Sequence, residues 1–211
     1  SMKLKLLTIS ALAALTASSF GAAITVFNFR GAATNFVLDG VTDQLLPGGS
    51  GSVALGTFDT DPAGGGVLEP GAIGTILDGF TQFSNTASIG VGAVGGVYQT
   101  VLNGAIAGDS ALVGKNVFTV IGNGSSLRES NQLLVYKHAH SFKADPDATD
   151  DTLLGEDAGG ELLIGSFGKI GEFGPISNPS FSLAPAIPEP SAIVLLFGGM
   201  SFLLVGRRSR K

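Results

Sequence analysis

The sequence predicts an all-β fold with one short helix, on three observations. Thirty-two of 211 residues are glycine, about twice the usual share, and they separate short apolar segments instead of forming a tract. Those segments are five to nine residues long, rich in Val, Ile, Leu, Phe and Thr, and bounded by Gly, Asn or Asp. That is the pattern of strands joined by tight turns. There is no cysteine, so neither disulfides nor thiolate chemistry contributes and core packing must hold the domain.

The first strand spans residues 24–29, where Ile24, Val26 and Asn28 share one face and Thr25, Phe27 and Phe29 the other. Segments 52–58, 97–105, 117–121, 132–138 and 161–167 follow the same composition. Asp39-Gly40, Asn103-Gly104 and Asn123-Gly124 are candidate tight turns. Between residues 72 and 83, Ile73, Ile76, Leu77 and Phe80 recur at helical spacing, which predicts a helix packed on the sheet, although Gly74 and Gly79 oppose it. A last short strand begins near Ser177 and runs into a Pro-containing stalk ending at Ile187. The expected architecture is an antiparallel β-sandwich, jelly-roll-like, occupying residues 24–176, with residues 177–187 as stalk.

Both ends read as addresses. Ser1 precedes Met2 and reads as a cloning remnant. Lys3 and Lys5 then form a positive n-region, Leu6 to Leu15 an apolar h-region, and Thr16 to Ala23 a small-residue cleavage zone. Residues 1–23 are therefore expected to be a secretory signal peptide, cut after Ala23 or, second choice, after Gly21. At the other end stands Pro188-Glu189-Pro190, then the uncharged run SAIVLLFGGMSFLLVG over residues 191–206, then Arg207, Arg208, Ser209, Arg210 and Lys211. The prolines prevent a helix from entering from upstream. As a helix the run reaches roughly 24 Å against a hydrocarbon core of about 30 Å. The basic cluster Arg207, Arg208, Arg210 and Lys211 marks the cytoplasmic side, which puts the domain outside the inner membrane.

This three-part tail, residues 188–211, closely resembles the PEP-CTERM sorting signal of exopolysaccharide-producing Gram-negative bacteria. The resemblance implies recognition by an exosortase, a membrane-embedded cysteine enzyme that cuts near Pro188, Glu189 and Pro190 and passes the protein outward. It implies transient anchoring in the inner membrane and delivery to the cell surface or extracellular matrix. The tail is shared by many unrelated passenger domains, so it implies an address and not an activity.

Charge narrows the passenger's partners. Between Ile24 and Ala186 there are six Lys+Arg against sixteen Asp+Glu, a net of −10. Such a surface argues against nucleic acid and against a peripheral hold on anionic lipid.

Three constellations bear on chemistry. The loop from Asp145 places Asp145, Asp147, Thr149, Asp151 and Glu156 at positions 1, 3, 5, 7 and 12 of a twelve-residue window, the oxygen spacing of an EF-hand-like calcium loop. Asp150 stands where that loop needs glycine, and the competing reading is a solvated acidic loop that discourages edge pairing. The chain's two histidines, His138 and His140, face the same way on a strand and suit Zn²⁺ or Cu²⁺ if a carboxylate completes the set; the plainer reading is a polar strand end. No G-x-S-x-G elbow is present and there is no tryptophan to stack on a sugar ring. The expectation is a non-enzymatic structural or adhesive protein without a resident cofactor. Its rivals are a calcium-dependent or carbohydrate-binding module of the exopolysaccharide matrix and, more remotely, a polysaccharide hydrolase. An aromatic-lined groove would favour binding, and a cleft with convergent carboxylates would favour hydrolysis.

Overall fold

The computed structural model describes residues 22–30, 33–90, 94–147, 149–155, 159–168 and 180–187. They are mostly β-sheet with one short α-helix. In chain order, β1 (Ala22–Phe27) is followed by three two-residue strands, β2 (Phe29–Arg30), β3 (Ala33–Thr34) and β4 (Val37–Leu38). Next come β5 (Ser52–Phe58), helix α1 (Ala72–Asp78), β6 (Phe80–Gln82), β7 (Ala87–Ser88) and β8 (Gln99–Gly104). The long strands β9 (Asn116–Gly122) and β10 (Gln132–Ser141) form the centre. Short strands β11 (Thr152–Leu153), β12 (Glu161–Ile164), β13 (Ser166–Phe167), β14 (Phe181–Ser182) and β15 (Ala184–Pro185) complete the fold.

The central sheet runs β12-β10-β9-β5-β6, with β7 also paired to β5 and β15 to β10. All its ladders are antiparallel. A second sheet, β11-β1-β8, mixes a parallel β1–β11 ladder with an antiparallel β1–β8 ladder. A third, β13-β14-β4, carries a parallel β14–β4 pair.

Side-chain alternation on the central strands feeds two separate cores. Val53, Leu55, Val117, Ile121, Leu134 and Tyr136 join Ile24, Val26 and Leu102 of the second sheet. From the opposite face, Ala54, Phe58, Phe118, Val120, Leu133 and Val135 meet Ile73 and Leu77 of α1 together with Leu68, Leu127 and Ile164. With both faces covered, central strands need apolar side chains at successive positions. That is why β5 and β9 read as near-continuous apolar runs and not as clean alternations. Phe118 meets Phe58 edge-on at 5.1 Å between ring centroids and 82° between planes, a favoured aromatic geometry.

Several sequence expectations shift. The predicted strands at 52–58, 117–121 and 132–138 are β5, β9 and most of β10. The helix expected over 72–83 stops at Asp78, because Gly79 caps it and Phe80–Gln82 leaves to pair with β5. Segment 161–167 is split by Gly165, whose φ of +111° is open to glycine and costly for other residues. Asn103-Gly104 lies inside β8 and is not a turn.

The largest correction concerns the stalk. Residues 180–184, expected to lie at the start of the linker, are buried, while Pro185 and Ala186 are half-buried and Ile187 is exposed. Phe181, Leu183 and Ala184 are fully buried, β14 pairs with β13 and β4, and β15 pairs with β10. Pro185 sits on a sheet edge, where its missing N–H costs no ladder bond. The prolines signalled extended backbone correctly, but the alternating Phe181 and Leu183 decide burial. At the other end, Ala22 and Ala23 pair with Gly104 and Asn103, so the boundary expected after Ala23 falls inside β1. Among the described residues no helix is long and apolar enough to cross a membrane. The signal peptide through residue 21 and the tail 188–211, including Pro188, Glu189, Pro190 and the run 191–206, lie outside the described residues.

Candidate functional site

Three of the five candidate ligands in the acidic loop, Asp145, Thr149 and Asp151, each give an oxygen to backbone. Asp145 Oδ2 accepts the N–H of Ile106 at 3.1 Å, and Asp151 Oδ1 accepts the N–H of Thr25 at 2.8 Å. Thr149, itself buried, accepts the N–H of Lys143 through Oγ1 at 2.9 Å. Asp150, the residue at the glycine position, lies 3.6 Å from the Lys143 ammonium. The loop is thus stitched to β1, to the segment after β8 and to the end of β10. Among the described residues no three His, Asp or Glu side chains gather as a metal-binding group. Glu156, the expected twelfth-position ligand, lies outside them.

His138 and His140 do share a face of β10, as alternation requires, and their rings lie 5.3 Å apart. The register of β10 on β9 shifts between Lys137 and Ser141, so both histidines sit in an irregular stretch. His138 is buried, shares a 2.8 Å hydrogen bond with Thr119 Oγ1, and packs edge-on against Tyr136, which in turn meets Phe181. The pair extends an aromatic column into the core.

A third feature was not foreseen. Where the described chain ends, Val41, Val67, Asn131, Gln132, Pro185, Ala186 and Ile187 line an open groove of about 420 Å³. No charged side chain lines it. Val41 is 70% exposed, Val67 59% and Ile187 48%, so three aliphatic side chains stand in solvent around one depression.

Each is held there by polar bonds. Val41 rides on the loop after β4, whose Asp39 carboxylate collects four donors. Oδ1 accepts the N–H groups of Val41 and Thr42 and the Thr42 hydroxyl, and Oδ2 accepts the Gln132 amide at 2.7 Å. Gln132 Oε1 in turn accepts the N–H of Gly40 at 2.7 Å. Burial pushes the Asp39 carboxyl up, but the N–H groups of Thr42 and Val41, then the Gln132 amide and Thr42 hydroxyl, outweigh it and hold the group below the usual carboxylate range. Gly40 must be glycine, since a Cβ there would fall 1.7 Å from the Leu183 carbonyl oxygen. Val67 and Ile187 are brought together by the Leu68–Ala186 bridge. In it Leu68 donates its N–H to Pro185, and Ile187 donates its own to Leu68, both at 2.9 Å.

The groove escaped sequence reading for a definite reason. Gly40-Val41-Thr42 and Gly66-Val67-Leu68 place single valines in turns, where no periodicity marks them. Only their convergence with Ile187 gives them meaning. Compared with protein-family models, curated proteins and solved structures, the chain matches none.

Proposed function

We propose that this is an exported protein of the cell surface or extracellular matrix, sorted through its C-terminal tail, with a structural or adhesive role. We further read its architecture as a β-sandwich, in which sheet β11-β1-β8 stacks on the central sheet and α1 covers the outer face. The shared core of Ile24, Val26, Leu102, Val53, Leu55 and Ile121 supports that reading.

The observation that carries the function is the join at Ile187. Hydrogen-bonded backbone continues through Ile187, whose N–H is given to Leu68. The next three residues are Pro188, Glu189 and Pro190, followed at once by the apolar run and the basic cluster. A cut near that unit would leave β14 and β15 within the released domain. The same logic applies at the N-terminus, where removal of the leader after Gly21 leaves β1 whole and removal after Ala23 takes two paired residues. A matrix role also fits the surface: Phe118, Phe142 and Phe181 are in the core, Phe167 is exposed outside the groove, and the groove lining has no aromatic side chain. Exopolysaccharide is the expected surrounding, and an exosortase-like enzyme the expected processing partner.

Replacing Glu189 with Ala tests the sorting step in the native host. The expected result is a membrane-retained precursor whose circular dichroism is unchanged. Normal release with unaltered mature mass would refute it.

A further inference from the structure

The groove beside Ile187 has an uncharged lining on a domain of net charge −10, and Ile187 stands four residues before the apolar run that begins at Ser191. From Ile187 to Ser191 there are four Cα steps, at most about 14 Å fully extended. An anchored tail therefore confines this face to the neighbourhood of the bilayer surface, whose headgroup layer is itself roughly 5–8 Å deep. Length adds a pull. The run 191–206 reaches roughly 24 Å as a helix, about 6 Å short of an average hydrocarbon core. Such a mismatch is relieved by thinning the bilayer or by drawing the flanking groups inward. The groups beside Ile187 are those suited to being drawn in: Val41, Val67 and Ile187 are exposed, aliphatic and carried on hydrogen-bonded backbone.

We propose that the groove face is the membrane-facing side of the anchored protein, with Val41, Val67 and Ile187 seated in the interfacial layer of a zwitterionic bilayer. The inference rests on the tail being a membrane anchor. The acidic domain disfavours anionic lipid, so contact comes from apolar area and from the tether. Once the tail is cut the tether is lost, and three aliphatic side chains alone give a weak hold. The face would then change from lipid contact to free surface on release.

The absence of cysteine allows a direct test with the full chain. Val41→Cys, Val67→Cys and, as an exposed control on β8 in the β11-β1-β8 sheet and outside the groove lining, Val101→Cys each carry one polarity-sensitive fluorophore, and the protein is reconstituted into phosphatidylcholine vesicles containing a lipid-bound quencher. The expected result is flotation with the vesicles, and quenching at positions 41 and 67 at least about threefold stronger than at 101, as interfacial burial requires. In lipids with a core near 24 Å the difference should shrink, because the mismatch is gone. Failure to float would overturn the anchor reading and this proposal with it. Flotation with equal quenching at all three positions would overturn the proposal alone. A blue-shifted label at 41 and 67 that lipid quencher does not reach would also overturn it, placing the tail or a second copy in the groove.

Discussion

The acidic loop around residues 145–151 and the apolar groove around Ile187 use side chains in opposite ways. In the loop, groups with an affinity for cations are turned onto backbone: Asp145 holds Ile106, Asp151 holds Thr25 and Thr149 holds Lys143. In the groove, side chains suited to a core are kept in water, and the polar groups Asp39 and Gln132 brace the loop that carries Val41. Spacing gives the loop the look of a calcium site, and the bonds of Asp145, Thr149 and Asp151 also make it a clasp between strands. The groove offered no pattern in sequence, yet its exposed valines stand beside a hydrogen-bonded framework that holds them in solvent. A surface feature is informative when its chemistry is not consumed by the fold.

The sharpest way to break this contrast is Gly40→Ala. With its Cβ 1.7 Å from the Leu183 oxygen, the loop or the last strands must move, and urea unfolding should show a loss of about 3 kcal/mol or more. A loss under about 1 kcal/mol would mean that the loop bearing Val41 is not braced against β14 and β15.

Next in size is the clasp. Asp145→Ala leaves the N–H of Ile106 without its acceptor and should cost about 1–2 kcal/mol, while Asp151→Ala, at a more exposed bond, should cost less than about 1 kcal/mol. If these oxygens serve the backbone, Ca²⁺ and Mg²⁺ at equal millimolar concentration should shift the melting temperature alike. A rise specific to Ca²⁺ and abolished by Asp147→Ala would restore the loop as a calcium site and favour the binding-module reading.

Acid sharpens the groove side. Asp39 is held below its ordinary value in the folded state, so its stabilisation is present above the unfolded pKa, about 3.9, and is lost as pH falls through the folded value. Hydrogen exchange at Val41 and Thr42 should therefore accelerate, beyond its intrinsic pH dependence, below about pH 4. Asp39→Asn should remove that acid-dependent step.

The smallest effect is expected from Val41→Ser and Val67→Ser. Neither side chain is buried, and each change should alter stability by less than about 0.5 kcal/mol. A loss above about 1 kcal/mol would mean that these valines pack somewhere in the free protein and are not held out for a partner.

What was readable beforehand follows from which signals are local. Strand composition located β5 to the residue, β9 to within one residue at each end and β10 up to His138, three residues short of its end, because Val, Ile and Leu runs between Gly and Asn need no tertiary information. The face-sharing of Ile24, Val26 and Asn28 was also readable, and all three are fully buried. Asn28 is satisfied there by Asn35 and Gly96 carbonyls and by the N–H of Tyr98. Less readable was where strands stop pairing. Gly79 ended a helix, Gly165 broke a strand, and Pro185 took a sheet edge, all matters of which neighbour is available. The groove was not readable at all, since Val41, Val67 and Ile187 are far apart in sequence: the Leu68–Ala186 bridge brings Val67 to Ile187, and the Gln132 bonds to Asp39 and Gly40 bring in the loop of Val41.

The central claim is that the domain is delivered whole, beginning at β1 and ending at the join before Pro188. Intact-mass analysis of the mature protein from its native host tests it most directly. The account predicts an N-terminus at Ala22 and a C-terminus near Pro188-Glu189-Pro190, with β1 and β15 both retained. A released protein that still carries residues 191–206, or one cut upstream of Phe181, would contradict it.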